Sequence, residues 1–81
     1  ISTFEDKKNK RNLLTIETSN SPFLLSRIAK VLLENEASIY AARINTLGEK
    51  VEDTFEISSN NSSLITQSNI SKISKQLREV I

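Results

Sequence analysis

Ile39-Tyr40-Ala41-Ala42-Arg43-Ile44-Asn45-Thr46-Leu47-Gly48-Glu49-Lys50-Val51-Glu52-Asp53-Thr54-Phe55-Glu56-Ile57 decides the fold. The flanks, 39–46 and 51–57, are rich in β-branched and aromatic residues and read as two strands joined through 47–50. A tight turn at Gly48-Glu49 pairs Thr46 with Val51, Ile44 with Asp53, Ala42 with Phe55 and Tyr40 with Ile57. That register gathers Tyr40, Ala42, Ile44, Val51, Phe55 and Ile57 on one face. Arg43, Glu52, Thr54 and Glu56 fall on the other. Such a separation suits a sheet covered by helices on one side only.

Upstream, Leu13-Leu14-Thr15-Ile16-Glu17-Thr18 is a further strand. Asn20-Ser21-Pro22 ends it and starts a helix, with Ser21 placed to cap free amides and Pro22 suited to the first helical position. Leu25, Ile28, Ala29, Leu32 and Leu33 then form one apolar stripe, and the helix is expected to stop near Asn35. Downstream, Ser58 to Ser63 is a low-complexity polar run, and 58–65 is expected to be a loop with too few apolar groups to pack. Ile70, Ile73, Leu77 and Val80 or Ile81 recur at helical spacing, which gives a second helix over 66–81.

Ile1 to Glu5 is a short candidate strand, running into the polar stretch Asp6-Lys7-Lys8-Asn9-Lys10-Arg11. A solvated turn is the better reading of that basic cluster than a phosphate contact.

Composition narrows the chemistry. Eighty-one residues fit one domain, whose stability is expected to be marginal without a partner. Eleven basic and ten acidic residues leave a net charge of +1, unlike the basic excess of nucleic-acid or membrane-surface binders. There is no histidine, no cysteine and one glycine. Metal sites, Ser-His or Cys-His catalysis and glycine-rich phosphate loops therefore lack their parts. No cofactor is expected. No apolar run reaches a membrane span and no apolar signal segment opens the chain, which suggests a cytoplasmic domain. A start at Ile1 suggests a fragment of a longer protein.

The order strand, helix, strand, strand, helix is most of a βαββαβ unit. Ser21-Pro22-Phe23-Leu24-Leu25-Ser26-Arg27-Ile28 resembles the loop-to-helix element of ACT domains, D-R-P-G-L-L-x-x-I. Residues 38–55 are similar to S-L-x-A-A-R-I-x-T-x-G-E-R-V-E-D-x-F, a string found in the last ACT domain of PII uridylyltransferases. The close match spans 13–57. The resemblance implies a single ACT regulatory domain over 1–81, with 1–12 as an N-terminal strand and turn. Its fold is α+β, a four-stranded antiparallel sheet with two helices on one face, in ββαββα order. Ile1–Glu5 is expected to fold back and pair with Leu13–Ser19, since no strand follows the last helix.

The resemblance further implies a non-catalytic segment that senses glutamine or another small amino acid. It would bias the catalytic domains of a parent enzyme that uridylylates PII, with a homodimer as a common assembly. Ligands of such folds sit at the loop before the first helix, which here gives Asn20, Ser21, Pro22, Phe23 and Leu24 as candidates. Helix N-terminal amides bind a carboxylate there. Two positions depart from the family pattern, with Asn20 in place of Asp and Phe23 in place of Gly, and both weaken the expected site.

Arg43 and Glu52 read as structural or interface groups, since exposed cross-strand charges explain themselves without a ligand. Asp53 turns toward the apolar side and needs a partner, a helix-end amide or an interdomain contact. An RNA-binding βαββαβ module is the alternative of another class, but Phe4, Phe23, Tyr40 and Phe55 make no paired aromatic platform. A dimerisation module without ligand is the third.

Overall fold

A computed structural model describes residues 1–19 and 23–81. The chain forms β1 (Ser2–Asp6), β2 (Arg11–Ser19), α1 (Leu24–Glu34), β3 (Ala37–Leu47), β4 (Lys50–Ser59) and α2 (Gln67–Val80). The strands make one antiparallel sheet in the order β1-β2-β4-β3. Both helices pack on one side of it. This is the ferredoxin-like α+β arrangement expected from the sequence, with β1 in the position a final strand would otherwise take.

β1 does fold back through the basic turn. It pairs only with the first half of β2, from Ser2 opposite Thr15 to Asp6 opposite Arg11, and not along the whole of 13–19 as expected. With five residues it runs out before the end of the nine-residue β2. Asp6 closes the turn by accepting from the Asn9 backbone N–H at 3.3 Å and from Asn9 Nδ2 at 2.9 Å. Lys7, Lys8 and Lys10 stand exposed.

The β3–β4 hairpin has the expected tight turn, with Leu47 opposite Lys50 and Gly48 at φ 66°. That positive φ is costly for any residue with a Cβ. Thr46–Val51, Ile44–Asp53 and Ala42–Phe55 pair as predicted. Beyond them a bulge intervenes. Ile39, not Tyr40, lies opposite Ile57, while Ala41 pairs with Glu56. The extra residue turns Tyr40 onto the open face, where the Arg11 guanidinium sits 3.5 Å from the centre of its ring.

The core joins Leu14 and Ile16 of β2, Val51, Phe55 and Ile57 of β4, and Ile28, Leu32, Ile70, Ile73 and Leu77 of the helices. Two expectations about it need correction. The buried stripe of α1 is Leu24, Ile28, Val31 and Leu32. Leu25, Ala29 and Leu33 are exposed, because the helix is rotated so that the first leucine of the 24–25 pair faces the sheet. Ala42 and Ile44 are exposed too, although Phe55 and Ile57 beside them are buried. β3 is an edge strand, buried only at its first residue, Ala37, and open along the rest.

α2 begins at Gln67, with Thr66 as its N-cap accepting from the Asn69 backbone N–H at 3.2 Å. The 58–65 segment packs more than its composition implies. Ser58 and Ser59 extend β4, and Ile65 is buried in the core. Ser59 Oγ organises the turn after β4 through Asn61 and Ser63.

Candidate functional site

A cleft of about 320 Å³ opens between the start of α1 and the β3–β4 hairpin. Phe23, Leu24, Leu25 and Ser26 line it from the helix side, Ile44 and Thr46 from β3, and Val51 and Asp53 from β4. The volume lies at the small end of the roughly 300–1,000 Å³ typical of small-molecule sites.

The register places Asp53 there. Val51, Asp53, Phe55 and Ile57 alternate onto the helix-covered face of β4, all buried. Asp53 is therefore a carboxylate held among core residues, 0% exposed, and neither of its oxygens has a hydrogen-bond partner among the described residues. The expected orientation is found. Burial raises the carboxyl above its usual value of 3.8, because the charged form loses water without compensation. Asn12 and Ser58, the other buried polar side chains of the described core, both have partners. Asn12 Oδ1 accepts from the Ile65 N–H at 2.8 Å, and Ser58 Oγ donates to the Ser59 carbonyl at 3.0 Å.

The helix side of the cleft is positively polarised. α1 starts at Leu24, later than the expected start at Pro22 with Ser21 as its cap. Phe23 is its N-cap, in the left-handed region at φ 62°, and makes no side-chain capping bond. No acidic residue occupies the first turn. Arg27 N–H donates to the Phe23 carbonyl at 3.0 Å, so the first intrahelical bond begins at Arg27. The amides of Leu24, Leu25 and Ser26 precede it and have no partner within the helix. That left-handed backbone is one glycine adopts without the steric cost borne by a residue with a Cβ.

Of the residues singled out from sequence, Phe23, Leu24 and Asp53 converge on this cleft. Asn20, Ser21 and Pro22 lie outside the described residues. Arg43 and Glu52 are elsewhere. Arg43 lies opposite Thr54 on the open face, in a shallow depression with Asp6, Leu13 and Glu56. Glu52 lies with Glu17 and Lys50 at the hairpin end of the sheet. Sequence reasoning missed Ile44 and Thr46 as lining residues. Their pairing with Asp53 and Val51 was the available signal.

The open face offers no stacking platform of adjacent aromatics. Phe4 and Tyr40 lie on the two edge strands, separated by β2 and β4, and Arg11 covers the Tyr40 ring. Among the described residues, no group of three or more His, Cys, Asp or Glu side chains is placed to hold a metal ion. No described helix is long and apolar enough to cross a membrane.

No family model matches the chain. It is homologous to segments of bifunctional uridylyltransferase/uridylyl-removing enzymes. It is 43% identical over 58 residues to that enzyme of Psychrobacter cryohalolentis, covering 72% of this chain and 6% of the relative. It is 35% identical over 69 residues to the Psychrobacter arcticus enzyme, covering 85% and 8%. It is 46% identical over 50 residues to the Burkholderia mallei enzyme, covering 62% and 6%. The chain thus spans less than a tenth of the length of these relatives.

Proposed function

We propose that the chain is a single ACT-type regulatory domain of a PII uridylyltransferase, not itself catalytic, that senses glutamine or another small amino acid. The homology supports its being a part of such an enzyme. The observation that carries the sensing role is the α1 cleft, which sets the start of the helix across from one buried carboxylate that has no hydrogen-bond partner among the described residues. A ligand that binds one arrangement of the α1 start and hairpin better than another biases the catalytic domains by that difference in affinity.

The test is an assay of the intact enzyme with and without this segment, measuring uridylylation of PII and removal of the group at low and high glutamine. The expected result is that removing the segment leaves transfer active and blunts its response to glutamine. An unchanged glutamine response overturns the reading.

A second reading, compatible with the first, is favoured by β3. Among the described residues its eleven residues have no partner strand on the outer side, and Ile39, Ile44 and Leu47 are 43%, 48% and 61% exposed. An apolar unpaired edge is a template for another strand. The occupant we infer is β3 of a second copy, which would extend the sheet across a two-fold axis. Light scattering is expected to give twice the monomer mass, falling to the monomer mass in Ile39→Lys. A monomeric parent chain at high concentration overturns it.

A further inference from the structure

We propose that the open face of the sheet is a self-complementary docking surface for the open face of a second copy. The two copies are related by a two-fold axis that runs between the sheets, at right angles to their strands. The inference goes beyond the sensing role and beyond pairing along the β3 edge, because it concerns the side of the sheet that neither helix covers. Charge and register carry it.

Each end of this face gathers like charge. At the β1–β2 turn, Lys7, Lys8 and Lys10 stand exposed, and Arg11 follows them onto the face. The one acid among them, Asp6, is engaged in closing the turn on Asn9. Arg11 adds a bond to the Asn9 carbonyl at 3.1 Å, so the lysines project from a fixed frame and lose little freedom on docking. At the other end, Glu17 and Glu52 are both exposed and lie directly opposite each other on β2 and β4. Glu49 stands in the hairpin turn beyond them. Like charges opposed across neighbouring strands are destabilising. Lys50 beside them offsets one of the charges and leaves the end acidic. An isolated sheet gains nothing from either cluster, and an opposite cluster relieves both.

The clusters are spaced for one another. Arg11 and Glu17 lie three residues either side of Leu14 on β2, roughly 20 Å apart along an extended strand. A two-fold rotation about an axis crossing β2 at Leu14 sets Arg11 of each copy over Glu17 of the other and lays each basic turn on an acidic hairpin end. Contacts of this symmetry use the same patch on both molecules, so one patch has to carry both signs. This one does. Between the clusters, Phe4, Leu13, Glu56 and Ala41 form one row across the sheet, and Thr15, Thr54 and Arg43 share the next. The same rotation exchanges these rows, which brings Arg43 of one copy onto the row of Glu56 in the other. Phe4, 65% exposed on the open face, then comes under the second sheet.

Light scattering on Ile39→Lys isolates this contact, since that change removes pairing along the β3 edge and leaves the open face intact. The mass is expected to rise toward twice that of the monomer at about 1 mM protein and about 20 mM ionic strength, and to return to the monomer at about 500 mM, where surface charges are largely screened. Adding the triple change Lys7→Glu, Lys8→Glu and Lys10→Glu is expected to abolish the low-salt association. Lys72→Glu, Lys75→Glu and Arg78→Glu on the exposed side of α2 make the same change in net charge and are expected to leave it in place. Circular dichroism checks folding. Should Ile39→Lys not fold, carbodiimide cross-linking of mixed normal and isotopically heavy wild-type chains decides the matter. Amide links between the turn lysines of one copy and Glu17, Glu49 or Glu52 of another are expected. A monomer at low salt, association that survives reversal of the turn lysines or is lost equally in the α2 control, or inter-copy links that avoid these carboxylates overturns the proposal. Each of those outcomes leaves the sensing role and the β3 edge standing.

Discussion

Asn12 and Ile65 are joined across the core by a 2.8 Å hydrogen bond from the Ile65 N–H to the Asn12 side-chain carbonyl. Asn12 is 1% exposed and Ile65 6%, so no water replaces either partner. The bond fixes the segment before α2 to the second strand and seats the Ile65 side chain among the core residues. Asn12→Ala leaves a buried N–H unsatisfied and opens space beside it. The expected cost is about 2–3 kcal/mol, measured as a lower urea midpoint with an unchanged slope.

Phe23 holds a left-handed backbone that L residues adopt at a cost of roughly 1–2 kcal/mol. Its ring is 77% exposed and contributes little packing in return. Phe23→Gly is expected to stabilise the chain by about 0.5–1 kcal/mol, the relief of strain exceeding the extra freedom glycine gains when unfolded. Thermal unfolding checks it, and a lower midpoint contradicts the assignment of Phe23 as a strained cap.

Asp53 makes stability depend on pH in a direction opposite to most aspartates. Its folded carboxyl titrates above the usual 3.8 of the unfolded chain. Below the unfolded value both states hold the proton and burial costs nothing. As pH rises through the folded value the unfolded state has already released its proton, so stability falls and then levels off. Asp53→Asn is expected to melt higher than the parent at pH 7, with the gap closing below pH 4. A parallel pair of melting curves across that range would count against an unpaired carboxylate.

Tyr40 and Arg11 form a cation–π pair at 3.5 Å, and the Tyr40 hydroxyl lies 3.2 Å from Ser62 Oγ. The site is partly exposed, so the coupling is expected to be about 0.5–1 kcal/mol. A double-mutant cycle with Tyr40→Leu and Arg11→Gln isolates it, and strictly additive effects would show that the stacking carries no energy.

These features differ in how far the sequence discloses them. The Gly48-Glu49 turn fixes three strand pairs, because alternation of period two leaves one register with the apolar residues together. Asp53's inward direction follows from the same count. The bulge at Tyr40 does not, since Ile39 and Tyr40 are both apolar enough for the covered face and no glycine marks the break. The phase of α1 was ambiguous for a similar reason. Leu24-Leu25 and Leu32-Leu33 are doublets, and 24/28/31/32 is as periodic as 25/28/29/32/33. Packing chose between them. The exposure of Ala42 and Ile44 depends on how far two helices reach across four strands, which periodicity does not encode.

The strand order has a kinetic consequence. β1 with β2, and β3 with β4, are each closed by a short turn, whereas β2 meets β4 only through partners about thirty to forty-five residues apart. Each hairpin is expected to zip on the microsecond scale characteristic of such elements. Joining them waits for a distant encounter, and relatively non-local pairing of this kind slows folding. The molecule is therefore two quick halves and one slow seam. Along that seam, Leu14 against Phe55 and Ile16 against Asp53 are the couplings whose loss would let the halves part.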